Sequence, residues 1–132
     1  MRIGLLFAAL VAAFAITVPP TAYAGDSAEQ WVGAWTIREQ ETGNSFTLTL
    51  QDRGGQLVGD LAQAHRADKS AFGMVRDGQL TLSFRDRNRP DDDPGRAHLN
   101  LQPGGRQFTG DCRYGTPQAQ DFLVHWTGMR QR

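Results

Sequence analysis

Cysteine is nearly missing from this sequence: Cys112 stands alone among 132 residues, which excludes an internal disulfide framework and a cysteine-built zinc site. An excess of charge is missing too. Fourteen basic residues meet 14 acidic ones, so nothing electrostatic points to nucleic acid as a partner. There is no Gly-x-Ser-x-Gly elbow, no pair of cysteines and no glycine-rich phosphate loop opening a helix. Helical periodicity is absent as well, which leaves at most a short helical turn around Asp26 to Gln30 or Gln63 to Asp68.

What is present begins with an address. Arg2 supplies a positive end, Ile3 to Val18 is almost wholly apolar, Pro19-Pro20 ends any helix, and Ala22-Tyr23-Ala24 has the small-x-small form of a cleavage site. The apolar stretch is shorter than the roughly 20 residues that span a bilayer, and its three-part order is that of a secretory signal peptide. Residues 1–24 are therefore expected to be removed, leaving a single domain from Gly25 to Arg132 in the periplasm or secreted. No cysteine lies at the cut to take a lipid, so no membrane attachment is expected afterwards. A chain of 108 residues buries somewhat over 60% of its unfolded surface, enough for an independent core. The expected state is a monomer or weak dimer.

Beyond residue 30 the apolar period is 2, the signature of half-buried strands. Eight such stretches follow one another: Trp31 to Arg38, Ser45 to Gln51, Gln56 to Ala62, Ser70 to Arg76, a fifth carrying Leu80, Leu82 and Phe84, Arg96 to Leu101, Arg106 to Tyr114, and Gln120 to Met129. Asp52-Arg53-Gly54-Gly55, Asp77-Gly78 and Gln102-Pro103-Gly104-Gly105 are turns, His65 to Lys69 is a polar link, and Asp86 to Gly95 is a charged loop. The inward set includes Phe46, Leu57, Phe84, Leu99, Phe108, Cys112, Tyr114, Phe122 and Trp126. Two segments echo each other, Gly54-Gly55-Gln56-Leu57-Val58-Gly59-Asp60 and Gly104-Gly105-Arg106-Gln107-Phe108-Thr109-Gly110-Asp111. An inward glycine in a strand marks a bend or a close backbone approach, so the sheet should curl. The fold class expected is all-β, an eight-stranded antiparallel up-and-down barrel, whose closure removes exposed strand edges.

Gly33-Ala34-Trp35 in the first strand and Trp126-Thr127-Gly128-Met129-Arg130 at the end resemble the calycin-type barrels, the group that contains lipocalins, avidins and small bacterial metalloprotease inhibitors. The resemblance implies that Arg130 packs over Trp35 and closes the barrel base. Phe108-Thr109-Gly110-Asp111-Cys112 and Trp126 look like late strands of avidin-type barrels, but Ile37 stands where that family would place an asparagine. Gln30 to Thr36 and Leu57 to Ala62 are similar to strands of the protease inhibitors, although this chain lacks their disulfide. That second likeness implies an alternative function, inhibition of a secreted zinc metalloprotease by the tail Gly25, Asp26 and Ser27.

The residues that could line a ligand site in the barrel interior are Phe46, Phe72, Phe84, Phe108, Tyr114 and Trp126, which either fill the core or enclose a small apolar molecule. Tyr114 is the one inward polar group expected near a barrel end. With so few ionisable groups facing inward, no catalytic residue is assigned and no enzyme is expected. A tight turn at Gln102 to Gly105 would align His98, Thr109 and His125 across three outward-facing strands, with the histidines about 9–10 Å apart. Such a span needs a third ligand to hold a metal, so these histidines and His65 are read as solvated. Asp91-Asp92-Asp93, between Pro90 and Pro94, lacks the alternating spacing of a calcium loop and has Arg85, Arg87, Arg89 and Arg96 nearby. Neither metal nor cofactor is expected. The reading is a non-catalytic binding protein for a small apolar molecule or a protein partner.

Overall fold

Strands rich in Leu, Phe, Thr and Val, with side chains alternating between two faces, must bury one face, and eight of them do so here by closing on themselves. The structure, a computed structural model, describes residues 27–64, 66–115 and 122–132. The predicted signal segment, Gly25, Asp26 and His65 lie outside these residues. A 3-10 helix (Ala28–Trp31) leads into β1 (Gly33–Glu39), followed by β2 (Ser45–Arg53), β3 (Gln56–Gln63), β4 (Arg66–Arg76), β5 (Gln79–Asp86), β6 (Gly95–Leu101), β7 (Gln107–Arg113) and β8 (Leu123–Arg130). Each strand pairs antiparallel with the next, and β8 returns to β1 with Trp35 opposite Arg130. The result is a closed up-and-down barrel, compatible with the calycin architecture. Among the described residues no helix is long and apolar enough to cross a membrane.

The two ends differ. At one end, the base, the connections are the short turns after β2, β4 and β6, and Asp77 and Gly78 both take positive φ (54° and 78°), as a tight two-residue hairpin requires. The 3-10 helix closes this end. Ser27 caps it by accepting from the Glu29 amide, and Trp31 enters the barrel to pack on Trp35 and Phe108, with ring centroids 5.9 and 5.6 Å away. Trp35 donates from Nε1 to the Trp31 carbonyl at 3.0 Å. Trp31 Nε1, wholly buried among rings, has no hydrogen-bond partner among the described residues. Arg130 lies 4.3 Å over the Trp35 ring, and its guanidinium donates to the carbonyls of Val32, Gln30 and Gly105. Gly33 has φ +123°, and a Cβ there would meet Arg130 Nη1 at 3.1 Å. The Gly-x-Trp spacing is thus the imprint of one arginine seated against β1.

The other end, the mouth, carries the connection 40–44 and the loops after β5 and β7. Between the ends the interior is filled by Ile37, Leu48, Leu57, Leu61, Leu82, Leu99 and their neighbours, all buried. Cys112 belongs to this core, as its inward alternation predicts, and burial pushes its thiol pKa well up.

Several expectations need correction. The first strand begins at Gly33, because Trp31 ends the 3-10 helix. The link expected over His65 to Lys69 is mostly strand: β4 starts at Arg66, directly after a turn in which Ala64 takes φ 53°. Phe72 faces outward and is 48% exposed, because Ala71 and Gly73 take the inward positions. The interior has no room for a larger side chain there, since a Cβ on Gly73 would fall 2.6 Å from the Thr81 carbonyl oxygen. Phe122 precedes β8 and is exposed rather than inward. The turn after β6 is looser than supposed, which pairs His98 with Asp111 and moves Thr109 opposite Asn100.

Candidate functional site

The alternation that buries Trp35 and Ile37 continues for two more residues and brings the last residue of β1, Glu39, into the barrel. Glu39 is 2% exposed and is the one charged side chain among the buried described residues. It sits opposite Trp126 of β8. Trp126 Nε1 donates to Glu39 Oε1 at 3.0 Å, and the Tyr114 hydroxyl donates to the same oxygen at 2.5 Å. Thr42 Oγ1, from the connection 40–44, donates to Glu39 Oε2 at 2.8 Å. A buried carboxylate is tolerated where such donors replace its water. Burial, followed by the bond to Glu39, raises the Tyr114 pKa far above the ordinary phenol range, so its proton stays in place as a donor.

Around this polar centre stand the aromatic rings. Phe84 stacks on Trp126 at 5.8 Å with 27° between planes, Phe46 lies 5.8 Å from Trp126, and Tyr114 meets Phe84 edge-on at 5.9 Å. Gly95, opposite Phe84 in the ladder, leaves the space that the Phe84 ring fills. Glu39, Phe46, Phe84, Gly95 and Tyr114 form the floor of a cavity of about 370 Å³ that opens at the mouth and is walled further up by Asn44, Gln63, Lys69, Arg89, Asp92 and Asp93. Its shape suits a small molecule with an apolar body, because the floor is aromatic and the polar groups stand at its rim.

Of the six interior candidates, the structure brings together Phe46, Phe84, Tyr114 and Trp126. Phe108 lies at the opposite end, packed on Trp35 at 5.1 Å, and Phe72 lies on the outer wall. Trp35 and Arg130 form the base contact that the resemblance implies. Of the tail residues only Ser27 is described, as the cap at the base, on the far side of the barrel from the mouth. Tyr114 is not the only inward polar group near an end: Glu39 is another, because β1 runs one residue beyond the strand expected over Trp31 to Arg38.

Arginines in and beside the charged loop make contacts of their own. Arg87 pairs with Asp60 on the outer wall, and Arg85 Nη1 donates to the Pro90 carbonyl at 2.6 Å. Asp92 and Asp93 line the cavity. Behind the mouth, Gly115 lies directly on the backbone of Asp93 and Pro94, so that a Cβ would fall 2.0 Å from the Asp93 carbonyl oxygen. That contact joins the loops after β5 and β7. Among the described residues no group of three or more His, Cys, Asp or Glu side chains is placed to hold a metal.

The connection 40–44 is fastened from outside. Glu41 accepts from the His125 backbone amide at 2.8 Å and lies 2.5 Å from His125 Nδ1, while the Gln40 amide donates to the His125 carbonyl at 2.9 Å. The contact with the His125 ring, and then that with its amide, hold the Glu41 carboxyl below its ordinary value near 4.5. A depressed carboxylate pKa contributes stability above the unfolded value and loses it as pH falls through the folded one. The fastening should therefore be complete above about pH 4.5 and release below it. The protection of the Gln40 amide against exchange, corrected for the intrinsic rate at each pH, should fall as the pH drops through that range, and NMR titration of His125→Ala should show the Glu41 pKa moving upward. A wild-type Glu41 that titrates at 4.5 or higher contradicts the fastening.

No protein-family model matches this chain, and no curated protein sequence matches it. The functional reading therefore rests on the site.

Proposed function

We propose that this chain is an exported, non-catalytic binding protein of the lipocalin or avidin-like kind, which takes a small, largely apolar ligand at the mouth of its barrel. The observation that carries this reading is the convergence of Phe46, Phe84 and Tyr114 on the floor of one open cavity of about 370 Å³, with Trp126 packed against Phe46 and Phe84. The closed base supports it, since the 3-10 helix and Arg130 leave the mouth as the natural point of entry. Export follows in this reading from the signal-like segment 1–24, and the working unit is a monomer or weak dimer.

The test combines native mass spectrometry of protein taken from its host with thermal shifts against a panel of lipids and hydrophobic metabolites. A bound ligand stabilises the folded state in proportion to the logarithm of its concentration over Kd. The expected result is a co-purifying small molecule, or a panel compound that raises Tm in wild type and does so less in Phe46→Ala. Empty protein in every preparation, together with an unmoved Tm across the panel, removes the reading.

A further inference from the structure

Among the described residues Glu39 has no cationic partner. Its three donors are a phenol, an indole and a threonine hydroxyl, all neutral, and it takes part in no ion pair among the described residues. A carboxylate taken out of water is most stable when an opposite charge accompanies it. Each carboxylate oxygen can accept about two hydrogen bonds. Among the described residues Oε1 receives two, from Tyr114 and Trp126, whereas Oε2 receives only the one from Thr42. One acceptor position is thus left on Oε2, beside the cavity that Glu39 lines.

The rest of the lining agrees with this. It holds three basic side chains, Lys69, Arg85 and Arg89, beside four acidic ones, Glu39, Asp86, Asp92 and Asp93, so it has no basic excess. Arg85 is turned to the Pro90 carbonyl, and Lys69 lies 3.9 Å from Asp68. The floor rings present π faces or edges, and π faces attract cations as well as apolar groups.

We infer that the ligand of the mouth is an organic ammonium: a protonated amine that donates to Glu39 Oε2, with an apolar or aromatic body lying on Phe46, Phe84 and Tyr114. This rests on the mouth being the binding site, and it adds the ligand's charge. The ammonium supplies the positive charge that Glu39 lacks and fills its open acceptor position. The same arrangement disfavours carboxylates and phosphates, which would face the Glu39 charge without a matching cation at the floor.

The experiment uses a matched pair of probes, benzylammonium and benzyl alcohol, which differ at the polar head. Binding is read by calorimetric titration at pH 7, and the Trp126 indole N–H resonance reports whether a probe reaches the floor. The expected result is at least tenfold tighter binding of benzylammonium by wild type, with a shifted Trp126 resonance. In Glu39→Gln, which keeps an oxygen for Tyr114 and Trp126, the preference should fall to less than twofold. If benzyl alcohol binds wild type as tightly as benzylammonium, the ammonium inference is overturned while the mouth remains a binding site. A preference for benzylammonium that persists in folded Glu39→Gln also overturns it, because the rim acids would then be the source. If Glu39→Gln does not fold, Phe46→Ala replaces it: benzylammonium affinity must fall and the wild-type Trp126 shift must be lost, and the inference fails if both are retained. If neither probe binds at 10 mM or displaces a co-purified molecule, both the inference and the mouth reading fall.

Discussion

Alanine at Gly59 is expected to cost about 3 kcal/mol or more, or to prevent folding, although it adds one methyl group. Gly59 stands midway along β3, opposite Leu50 of β2 and Ala71 of β4. The barrel is curved so sharply here that a Cβ would fall 1.6 Å from the Thr49 carbonyl oxygen and 2.7 Å from its carbon. The atoms in the way are backbone and belong to a hydrogen-bonded ladder, so no rotamer change relieves the overlap. Relief requires β2 and β3 to separate, which breaks pairing on both sides of the site. Gly110 repeats the situation on β7, where a Cβ would lie 2.0 Å from the His98 carbonyl oxygen. Gly54 is the control. Its φ of +65° disfavours alanine by about 1–2 kcal/mol, but nothing lies within 4 Å of a Cβ there. Urea denaturation should rank Gly59→Ala and Gly110→Ala well below Gly54→Ala, which itself falls below wild type. A Gly59→Ala protein within about 1 kcal/mol of wild type would mean that the bend is not what the glycine serves.

The echo between the segments around Gly59 and Gly110 was legible because curvature leaves a mark on sequence: an inward strand position that cannot hold a side chain. The barrel as a whole was legible for a similar reason, since a closed sheet imposes period 2 on every strand. Phe72 shows where that signal fails. In Ser70 to Arg76 both faces carry apolar residues, with Ala71, Gly73 and Val75 on one and Phe72 and Met74 on the other, and size alone suggested the wrong face. The small set is inside because Leu80, Leu82 and the neighbouring backbone already occupy the space. Glu39 failed for the opposite reason. Its position obeys the alternation of Trp35 and Ile37, but it follows directly on the strand expected over Trp31 to Arg38, and its donors come from Thr42, Tyr114 and Trp126, as many as 87 residues away. The register of His98 depended on how tightly the chain turns through 102–106, which composition does not specify. Apart from the Trp35–Arg130 contact that the resemblance implies, what was readable lay within single strands, and the polar centre of the site was not, because it is assembled from three stretches of chain, around Glu39 and Thr42, Tyr114 and Trp126.

The arginine at the base gives the second large effect. Arg130→Met should cost about 3 kcal/mol, because it keeps the aliphatic stem but removes charge-assisted bonds that typically contribute about 1.5–3 kcal/mol each, reduced here by the partial exposure of the group. Three carbonyls lose their donor: Val32 at 2.6 Å, Gln30 at 2.5 Å and Gly105 at 3.2 Å. The guanidinium stacked 4.3 Å over Trp35 is lost as well. Two of these carbonyls flank the end of the 3-10 helix, so the damage should be directional, loosening Ala28–Trp31 before the strands. Trp31, wholly buried in the intact base, would then meet water. Tryptophan emission should shift to the red at denaturant concentrations where far-ultraviolet circular dichroism still reports the barrel. Arg130→Lys should recover only a small part of the loss, since one ammonium on a flexible stem cannot reach three carbonyls in different directions while lying flat on an indole. A lysine variant as stable as wild type would show that charge alone holds the base. A methionine variant with unchanged midpoint and unchanged emission would show that the 3-10 helix is held by Trp31 packing on Trp35 and Phe108 instead.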